Sequence, residues 1–554
     1  MKTVTPERLL ALLEGDGELA LLDVREAGLF VQKHLFHASC APLWRLEYVL
    51  DRLVPRRTTP VVLVDLQGEQ AAEAAAKLER LGYADVAVLE GGILAWEARG
   101  YETFIDTNVP SKAFGEVVEV EAQTPHLDAE DLHRRLQAGE KLVIVDGRPA
   151  EEFFNFSLPG AHNVPNGELP YRIREFAPDP QTPIVVNCAG RTRSIIGTQT
   201  LKNLQIPNPV VALKGGTMSW LLAGWPLEKG KKTILPEPQP ESLAPIRARL
   251  QELARHFGIT ALTAPTTPNA AAQLETWRAA PDRSLYLFDV RTLEEYRAGH
   301  LPGARWAAGG QLVQATDTFL ATRNARLVLA DHDGVRALNT AVWLRQMGFR
   351  EVFLFPVPPD AALETGPEAI RILPDPSAPA APWISPQQAE SLRQDGAAHF
   401  FDIDQSVRFA RQHIEGASFA APHRIESFLD KTDTRPVLLT SEDGVLARIV
   451  ASQLAARGYP ARAILGGTQA WRAAGLPTAS GREGILTGED DTRYSAYELA
   501  EDKTAASLVV RDERFRAYLQ WELDLVAQIQ RPGAPTRFQV FRDQETGIRD
   551  QESD

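Results

Sequence analysis

Cysteine is almost absent from this chain, whose 554 residues include only Cys40 and Cys188. Two cysteines cannot form the dense disulfide framework that holds small secreted domains together, so that class of protein is excluded. A chain with so few thiols fits a reducing compartment, and we expect a cytoplasmic protein.

Long apolar segments and basic runs are also missing. The apolar run at residues 9–13 ends at Glu14, which makes it too short for the core of a signal peptide. No other stretch approaches the roughly 18 to 20 apolar residues that cross a membrane, so we expect no membrane association. Asp and Glu (73) outnumber Lys and Arg (59), and no run of five basic residues interrupts this acidic balance. The sequence therefore predicts neither nucleic acid nor anionic lipid as a partner.

What the chain does contain is typical of a folded multidomain protein. Its 44% hydrophobic and 24% charged residues exclude a disordered or collagen-like chain. At roughly 100 to 200 residues per domain, the length predicts about three to five domains.

The chain repeats one pattern four times. Each copy begins with a short apolar run that ends in aspartate, and these aspartates are more than one hundred residues apart, the spacing of whole domains. The four runs are LALLDVRE (19–26), LVIVDGRP (142–149), LYLFDVRT (285–292) and HFFDIDQS (399–406).

A second phrase follows each aspartate at a nearly constant distance. It consists of a Val- or Leu-rich strand, a tight loop and an amphipathic helix, and the strand lacks polar alternation, as in a parallel strand covered on both faces. The first loop residues, which we take as structurally equivalent, are Asp65, Cys188, Asp331 and Ser441.

A third phrase closes three of the copies, with two glycines followed by a helix that contains tryptophan. Its copies are LEGGILAW (89–96), LKGGTMSW (213–220) and LGGTQAW (465–471). Alternating strands and helices predict an α/β fold of four tandem domains, each a parallel sheet flanked by helices. The predicted divisions are domain 1 at 1–107, domain 2 at 115–229, a proline-rich linker and helix at 230–256, domain 3 at 257–375, domain 4 at 380–478 and a helical C-terminal extension at 479–554.

The extension is not a fifth copy of the repeat. Its best helix spans residues 514–530, and Pro532 and Gly533 follow it. We interpret it as an arm that packs on its own chain, with a homodimer contact as the open alternative.

The loop cysteine, the Asp-x-Arg phrase and the Gly-Gly-x-x-x-Trp phrase together resemble the rhodanese family of sulfurtransferases. The resemblance covers about residues 1–478 in four copies, and is strongest to the four-domain rhodanese-related sulfurtransferases. It implies thiosulfate sulfurtransferase activity, with a persulfide carried by the loop cysteine. Only one loop carries cysteine, so the catalytic residue that the resemblance implies is Cys188.

The chemistry of the loop CAGRTRS (188–194) agrees with this resemblance. A loop that enters a helix N-terminus directs backbone N–H groups at one point, which favours an anion and should lower the pKa of Cys188. Arg191 and Arg193 suit an anionic donor such as thiosulfate. The remaining predicted substrate-binding residues are Ala189, Gly190 and Thr192, together with Ser194, which we expect to cap the helix. We expect no metal and no cofactor.

The implied mechanism is a double displacement. The Cys188 thiolate takes the outer sulfur of thiosulfate, sulfite leaves, and cyanide, a thiol or a protein acceptor removes the sulfur. The alternative for Cys188 is a structural role as a buried thiol. For Cys40 we favour such a structural role over a role as a resolving thiol.

Domains 1, 3 and 4 should be silent as sulfurtransferases because Asp65, Asp331 and Ser441 cannot form a persulfide. Asp146 and Arg148 recur as Asp-x-Arg pairs in silent copies, so we interpret them as a structural ion pair. The recurring Trp220 is interpreted as a packing residue in the same way.

Two other functions stay open. Three silent copies out of four are consistent with a scaffold, with a sulfur relay to a partner protein or with a redox sensor built on Cys188. A phosphatase or arsenate reductase of the Cdc25-like type has five residues between its cysteine and arginine, whereas only four separate Cys188 from Arg193. The shorter loop suits a single sulfur atom better than a phosphoryl group.

Overall fold

The computed structural model describes residues 1–262, 270–377, 379, 381–499 and 504–542. The chain divides into two compact units. One consists of Met1–Thr107, Leu320–Thr322 and Ile370–Glu498, and the other of Asn108–Phe319, Arg323–Ala369 and Leu499–Asp554. Within the described ranges, no helix combines the length and apolar character that a membrane span needs.

Domain 1 is a parallel sheet in the order β1-β5-β4-β2, with β3 paired to β2. Its strands are β1 Lys2–Val4, β2 Leu19–Asp23, β3 Ser39–Cys40, β4 Val61–Val64 and β5 Val86–Leu89. Its helices are α1 Pro6–Glu14, α2 Ala27–Phe30, α3 Leu46–Leu53, α4 Glu69–Arg80 and α5 Gly92–Ala98, with a 3-10 turn at Leu43–Arg45.

Domain 2 repeats this arrangement as a parallel sheet in the order β6-β10-β9-β7-β8. Its strands are β6 His126–Leu127, β7 Val143–Asp146, β8 His162–Asn163, β9 Ile184–Asn187 and β10 Val210–Leu213. Its helices are α6 Val109–Ala122, α7 Ala129–Gln137, α8 Ala150–Asn155, α9 Leu169–Phe176, α10 Thr192–Asn203 and α11 Gly216–Leu222.

Domain 3 has the parallel order β11-β16-β15-β12-β13. Its strands are β11 Thr260–Ala261, β12 Leu285–Asp289, β13 Arg305–Trp306, β15 Arg326–Asp331 and β16 Glu351–Pro356, and the short strand β14 Thr322–Arg323, which precedes β15 in the chain, is not part of this sheet. Its helices are α12 Pro240–His256, α13 Ala270–Arg278, α14 Leu293–Ala298, α15 Gly309–Gln314, α16 Thr316–Phe319 and α17 Arg336–Gln346.

Domain 4 has the parallel order β17-β22-β21-β18-β20 and a small antiparallel pair, β19 with β23. Its strands are β17 Trp383–Ile384, β18 His399–Asp402, β19 His413–Ile414, β20 Ser418–Phe419, β21 Val437–Thr440, β22 Ala461–Ile464 and β23 Thr478–Ala479. Its helices are α18 Pro386–Gln394, α19 Ser406–Arg411, α20 Val445–Ala456 and α21 Gly467–Ala473, with a 3-10 turn at Pro422–Phe428. Two further helices follow, α22 Ala496–Leu499 and α23 Ala505–Gln528.

The four sheets share one strand order, which confirms the predicted fourfold α/β repeat. In each copy the central strand (β4, β9, β15 or β21) runs into the tight loop identified in the sequence, and in β9 every residue is buried. The apolar strands lack polar alternation because helices cover both faces of each sheet. The four loops therefore leave the carboxyl ends of equivalent strands, the edge where open α/β sheets bind ligands.

The C-terminal helix α23 is longer than the predicted helix at 514–530. It begins at Ala505, where the Thr504 hydroxyl accepts a hydrogen bond from the backbone N–H of Ser507, and it ends at Gln528. The helix contacts α6 and α11 of its own unit and buries Phe515, Glu522 and Leu525. It therefore packs on its own chain.

Candidate active site

Cys188 directly follows β9, the central strand of domain 2, and α10 begins at Thr192. Its side chain is buried, with 1% of the residue exposed. The carbonyl oxygen of Cys188 accepts a hydrogen bond from the backbone N–H of Thr217 at 2.9 Å. Gly216 has φ +53°, and a Cβ there would collide with the same carbonyl oxygen. The Gly-Gly phrase therefore allows α11 to support the cysteine loop by close backbone contact.

The loop of domain 1 shows which backbone groups such a loop directs at an anion. The Asp65 carboxylate accepts hydrogen bonds from the backbone N–H groups of Gln67 at 3.1 Å, Gln70 at 2.6 Å and Ala71 at 3.2 Å, and also from that of Gly68. Asp65, which stands where domain 2 has the cysteine, thus places its own carboxylate among four backbone N–H donors of the loop.

In the loops of domains 3 and 4, some of the equivalent backbone N–H groups donate hydrogen bonds in the same way. The Asp331 carboxylate accepts from the N–H groups of Gly334 at 3.0 Å and Ala337 at 2.8 Å. The Ser441 hydroxyl oxygen accepts from the N–H of Ala447 at 3.2 Å. In the cysteine loop, the residues at the equivalent sequence positions are Gly190, Arg191, Arg193 and Ser194, and of these the N–H of Ser194 acts on the Cys188 thiol. The N–H groups of Ala189 and Thr192, which were also predicted to line the site, lie at positions that do not bond to Asp65 in the described part of domain 1.

Arg191 is engaged by carboxylates of α6. Its guanidinium donates to Glu116 at 2.8 to 3.1 Å and also pairs with Glu119. Arg191 is 5% exposed and Glu116 is 1% exposed. These two carboxylates offset the positive charge that the sequence suggested for binding an anionic donor.

Arg193 pairs with Glu152 through two parallel hydrogen bonds, at 2.7 Å and 3.0 Å. It is also the cation that acts on the Cys188 thiol and lowers the pKa of that thiol. Of the two predicted arginines, Arg193 is therefore the one coupled electrostatically to the sulfur.

Burial raises the pKa of Cys188 above its ordinary value. Arg193 and the hydroxyl and backbone N–H of Ser194 act in the opposite direction, while Glu522 raises the pKa further. The predicted lowering of the pKa is wrong in this structure because the thiol is shielded from water, and desolvation of the thiolate outweighs the local donors.

Ser194 does not cap the helix as predicted. The cap position is Arg191, which makes no side-chain cap hydrogen bond, and the Ser194 hydroxyl donates to the Arg191 carbonyl oxygen at 2.7 Å. Ser194 lies in the first turn of α10, so its side chain is directed at the loop.

One residue that the sequence analysis missed lies at the loop. The Glu522 carboxyl group of α23 accepts hydrogen bonds from the hydroxyls of Thr192 and Tyr518, both at 3.1 Å to Oε1. Its Oε2 is 2.9 Å from the position that a Cβ of Gly190 would occupy. No local motif predicts this contact, because Thr192 and Glu522 are 330 residues apart in the chain.

Asp146 and Arg148 form the predicted structural pair. Arg148 donates to both carboxylate oxygens of Asp146, at 2.9 Å and 2.8 Å, and Asn187 also donates to Asp146. Both side chains of the pair are fully buried. Domains 1 and 3 contain the same arrangement, in Asp23 with Arg25 and Asp289 with Arg291.

The packing interpretations for the tryptophan phrase and for Cys40 also agree with the structure. Trp220 is buried, and its indole N–H donates to the Pro226 carbonyl oxygen at 3.0 Å. Cys40 ends β3, and its thiol lies 3.7 Å from the Arg25 carbonyl oxygen. Burial raises the pKa of Cys40 well above its ordinary value, and the carboxylates of Asp23 and Glu26 raise it further, which agrees with a structural role.

Comparison with known proteins places these features in a family. The sequence model of the rhodanese-like domain matches residues 5–99, 128–223, 270–356 and 385–474. The crystal structure of a thiosulfate sulfurtransferase from Pseudomonas aeruginosa is 40% identical and has a TM-score of 0.90, and the match covers 98% of this chain and 100% of that one.

Shorter relatives match about one domain. The thiosulfate sulfurtransferase GlpE of Glaesserella parasuis is 33% identical over 100 residues, which are 18% of this chain and 93% of the relative. An HTH-type transcriptional regulator of Mycobacterium tuberculosis is 35% identical over 100 residues, and the match covers 43% of its length. The four domain matches and the full-length structural match show that this chain belongs to the rhodanese-like family.

Proposed function

We propose that the protein is a sulfurtransferase that moves the outer sulfur of thiosulfate through a Cys188 persulfide to a thiophilic acceptor. The observation that carries this proposal is the position of Cys188, at the point where the equivalent loop of domain 1 surrounds a carboxylate with four N–H donors. A thiolate or persulfide at that point would be stabilised by the equivalent N–H groups of its own loop, among which that of Ser194 acts on Cys188. The full-length relative described as a thiosulfate sulfurtransferase supports the choice of donor.

The reaction consists of two displacements. In the first, the Cys188 thiolate attacks the outer sulfur of thiosulfate, the sulfur–sulfur bond of thiosulfate breaks, and sulfite leaves with the electron pair. In the second, an acceptor such as cyanide or a thiol attacks the outer sulfur of the persulfide, and the Cys188 thiolate is restored. The anionic persulfide between the two steps is held by the N–H groups of Gly190, Arg191, Arg193 and Ser194.

The two loop arginines have different roles in this proposal. Arg193 lowers the pKa of Cys188 and supplies positive charge at the sulfur. Arg191 binds Glu116 and Glu119 and so fixes the loop against α6. Ala189 and Thr192 complete the wall of the substrate site, and the hydroxyl of Ser194 favours the thiolate.

A sulfur-loading assay tests the proposal. Reduced protein is mixed with thiosulfate, its intact mass is recorded, and cyanide is then added so that thiocyanate can be measured. The wild type and Cys40→Ser should gain one sulfur atom and release it as thiocyanate, and Cys188→Ser should do neither. If the wild type gains no sulfur from thiosulfate, mercaptopyruvate or glutathione persulfide, the scaffold function replaces this one.

A further inference from the structure

The C-terminal helix α23 brings a buried carboxyl group to the cysteine loop. Glu522 is 1% exposed, and its Oε1 accepts from the hydroxyls of Thr192 and Tyr518. Its Oε2 has no hydrogen-bond partner among the described residues, and it lies over Gly190, where a side chain at that position would contact it. A buried carboxylate oxygen without a hydrogen-bond partner costs free energy, which favours binding of a proton at Oε2.

Charged groups from three elements surround this carboxyl group. Lys112 and Glu116 of α6 and Arg191 and Cys188 of the loop all interact with it electrostatically. The third element, α23 itself, contributes Tyr518, while α11 contains no titratable side chain. Burial and the Glu116 carboxylate raise the pKa of Glu522, Lys112, Arg191 and Thr192 lower it, and the net result is a pKa of about 7. The group can therefore both take and release a proton near neutral pH.

A cavity of about 320 Å³ lies beside the loop. Its lining includes Arg191 of the loop, Lys214 and Gly215 before α11, and Leu519 and Leu523 of α23. Leu519 and Leu523 come from the same stretch of helix as Glu522. The cavity lies next to the loop, between domain 2 and α23, and its lining residues do not include Cys188 or Glu522.

We propose that Glu522 accepts the proton of a thiol acceptor when that thiol removes sulfur from the Cys188 persulfide. This proposal rests on the sulfurtransferase function given above. The thiol proton moves to Oε2 of the Glu522 carboxylate, and a bond forms between the acceptor sulfur and the outer persulfide sulfur. The bond between the outer sulfur and Cys188 Sγ breaks, and its electron pair returns to Cys188 as the thiolate. Glu522 then releases the proton to solvent water.

The geometry favours this role over simple packing because Oε2 lies over Gly190 without a hydrogen-bond partner among the described residues. Thr192 and Tyr518 hold Oε1 and so orient the group. An acceptor that carries no proton, such as the sulfite dianion, has nothing to give to Glu522. The choice of acceptor therefore separates proton transfer from any general effect on the site.

The test uses the full-length protein loaded with sulfur and follows one transfer step. Loading of the wild type and of each variant is first confirmed by intact mass. Transfer to glutathione and transfer to sulfite are then timed near pH 8 for the wild type, Glu522→Gln, Glu522→Asp and Glu513→Gln. Glu513 is an exposed acid on the same helix and serves as the matched control.

We expect Glu522→Gln to slow transfer to glutathione about a hundredfold, the lower end of the usual range of general-base effects, and not to slow transfer to sulfite. Glu522→Asp should restore part of the rate, and Glu513→Gln should match the wild type. In the wild type the rate of transfer to glutathione should rise with pH through about 7, and Glu522→Gln should lose this step.

Three results would overturn the role of Glu522: an unchanged glutathione rate in Glu522→Gln, equal slowing with both acceptors, or acceleration with both. Acceleration would instead mean that the carboxyl group obstructs the site. A wild type that never loads sulfur would contradict the sulfurtransferase function itself, and the loading measurement identifies that case separately.

Discussion

At the scale of single residues, the reactivity of Cys188 depends on a balance between burial and a few local donors. Desolvation raises the pKa of the thiol, and Arg193 and Ser194 lower it. Arg193 is held in place by two hydrogen bonds to Glu152. Removing one of these groups should therefore change the fraction of thiolate without disturbing the sheet.

Replacing Arg193 with glutamine should raise the pKa of Cys188, because the nearest cation is lost while the burial stays. We expect loading by thiosulfate at pH 7.5 to slow about tenfold, because a smaller fraction of the thiol is then ionised. The pH dependence of Cys188 alkylation by iodoacetamide measures the shift directly. Arg134→Gln, at an exposed arginine of α7, is the control. An alkylation midpoint that is the same in Arg193→Gln and the wild type would contradict this account.

The silent loop of domain 1 contains its own carboxylate, which should stabilise the folded state. Asp65 satisfies four backbone donors of its loop. Asp65→Ala would leave those donors without an acceptor and should destabilise the protein by about 2 kcal/mol. Asp65→Asn, which keeps one carbonyl oxygen, should lose less.

The urea unfolding midpoints of the wild type, Asp65→Asn and Asp65→Ala should decrease in that order of stability. Thiocyanate production by Cys188 should be the same in all three proteins, since Asp65 belongs to a domain without a thiol in its loop. Equal midpoints for Asp65→Ala and the wild type would show that the four hydrogen bonds contribute nothing.

At the scale of elements, the sequence predicted each loop but not the helices that surround it. The phrase that contains Cys188 identified the strand, the loop and the helix, since their period and loop residues are local. The partners of Arg191 on α6 and the Thr192 contact of Glu522 on α23 depend on how distant helices pack. The same burial made the predicted lowering of the Cys188 pKa wrong, because no local pattern indicates that a helix covers the thiol.

Docking of α23 should depend on pH through Glu522. Its pKa rises from 4.5 when exposed to about 7 when buried, so the folded state binds the proton more tightly than the unfolded state. The stability of the folded state therefore falls as the pH rises from about 4.5 to 7, and stays reduced above that range. The reduction amounts to at most about 3 kcal/mol.

The glutamine side chain in Glu522→Gln is neutral at every pH, so this variant should not lose stability as the pH rises. Its urea midpoint relative to the wild type should increase between pH 5 and pH 8. Glu513→Gln on the exposed side of the helix should show no such change. A difference between Glu522→Gln and the wild type that is the same at both pH values would mean that Glu522 does not change its protonation on folding.

At the scale of the whole molecule, four copies of one sheet order contain a single loop cysteine. The fourfold repeat was predictable because each copy contains the same strand, loop and helix phrases at nearly constant spacing. The grouping of domains 1 and 4 in one compact unit and of domains 2 and 3 in the other was not, since it follows from contacts between distant surfaces. The predicted domain limits remain predictions, and the family matches lie within them.

The central claim is that Cys188 alone carries the transferred sulfur, and peptide mass mapping tests it most directly. The protein is loaded with sulfur from thiosulfate, and its persulfides and thiols are trapped with iodoacetamide. The protein is then digested, and the masses of the peptides are measured by mass spectrometry. The account predicts one added sulfur on the peptide that contains Cys188 and none on the peptide that contains Cys40. Sulfur on Cys40, or on neither peptide, would contradict it.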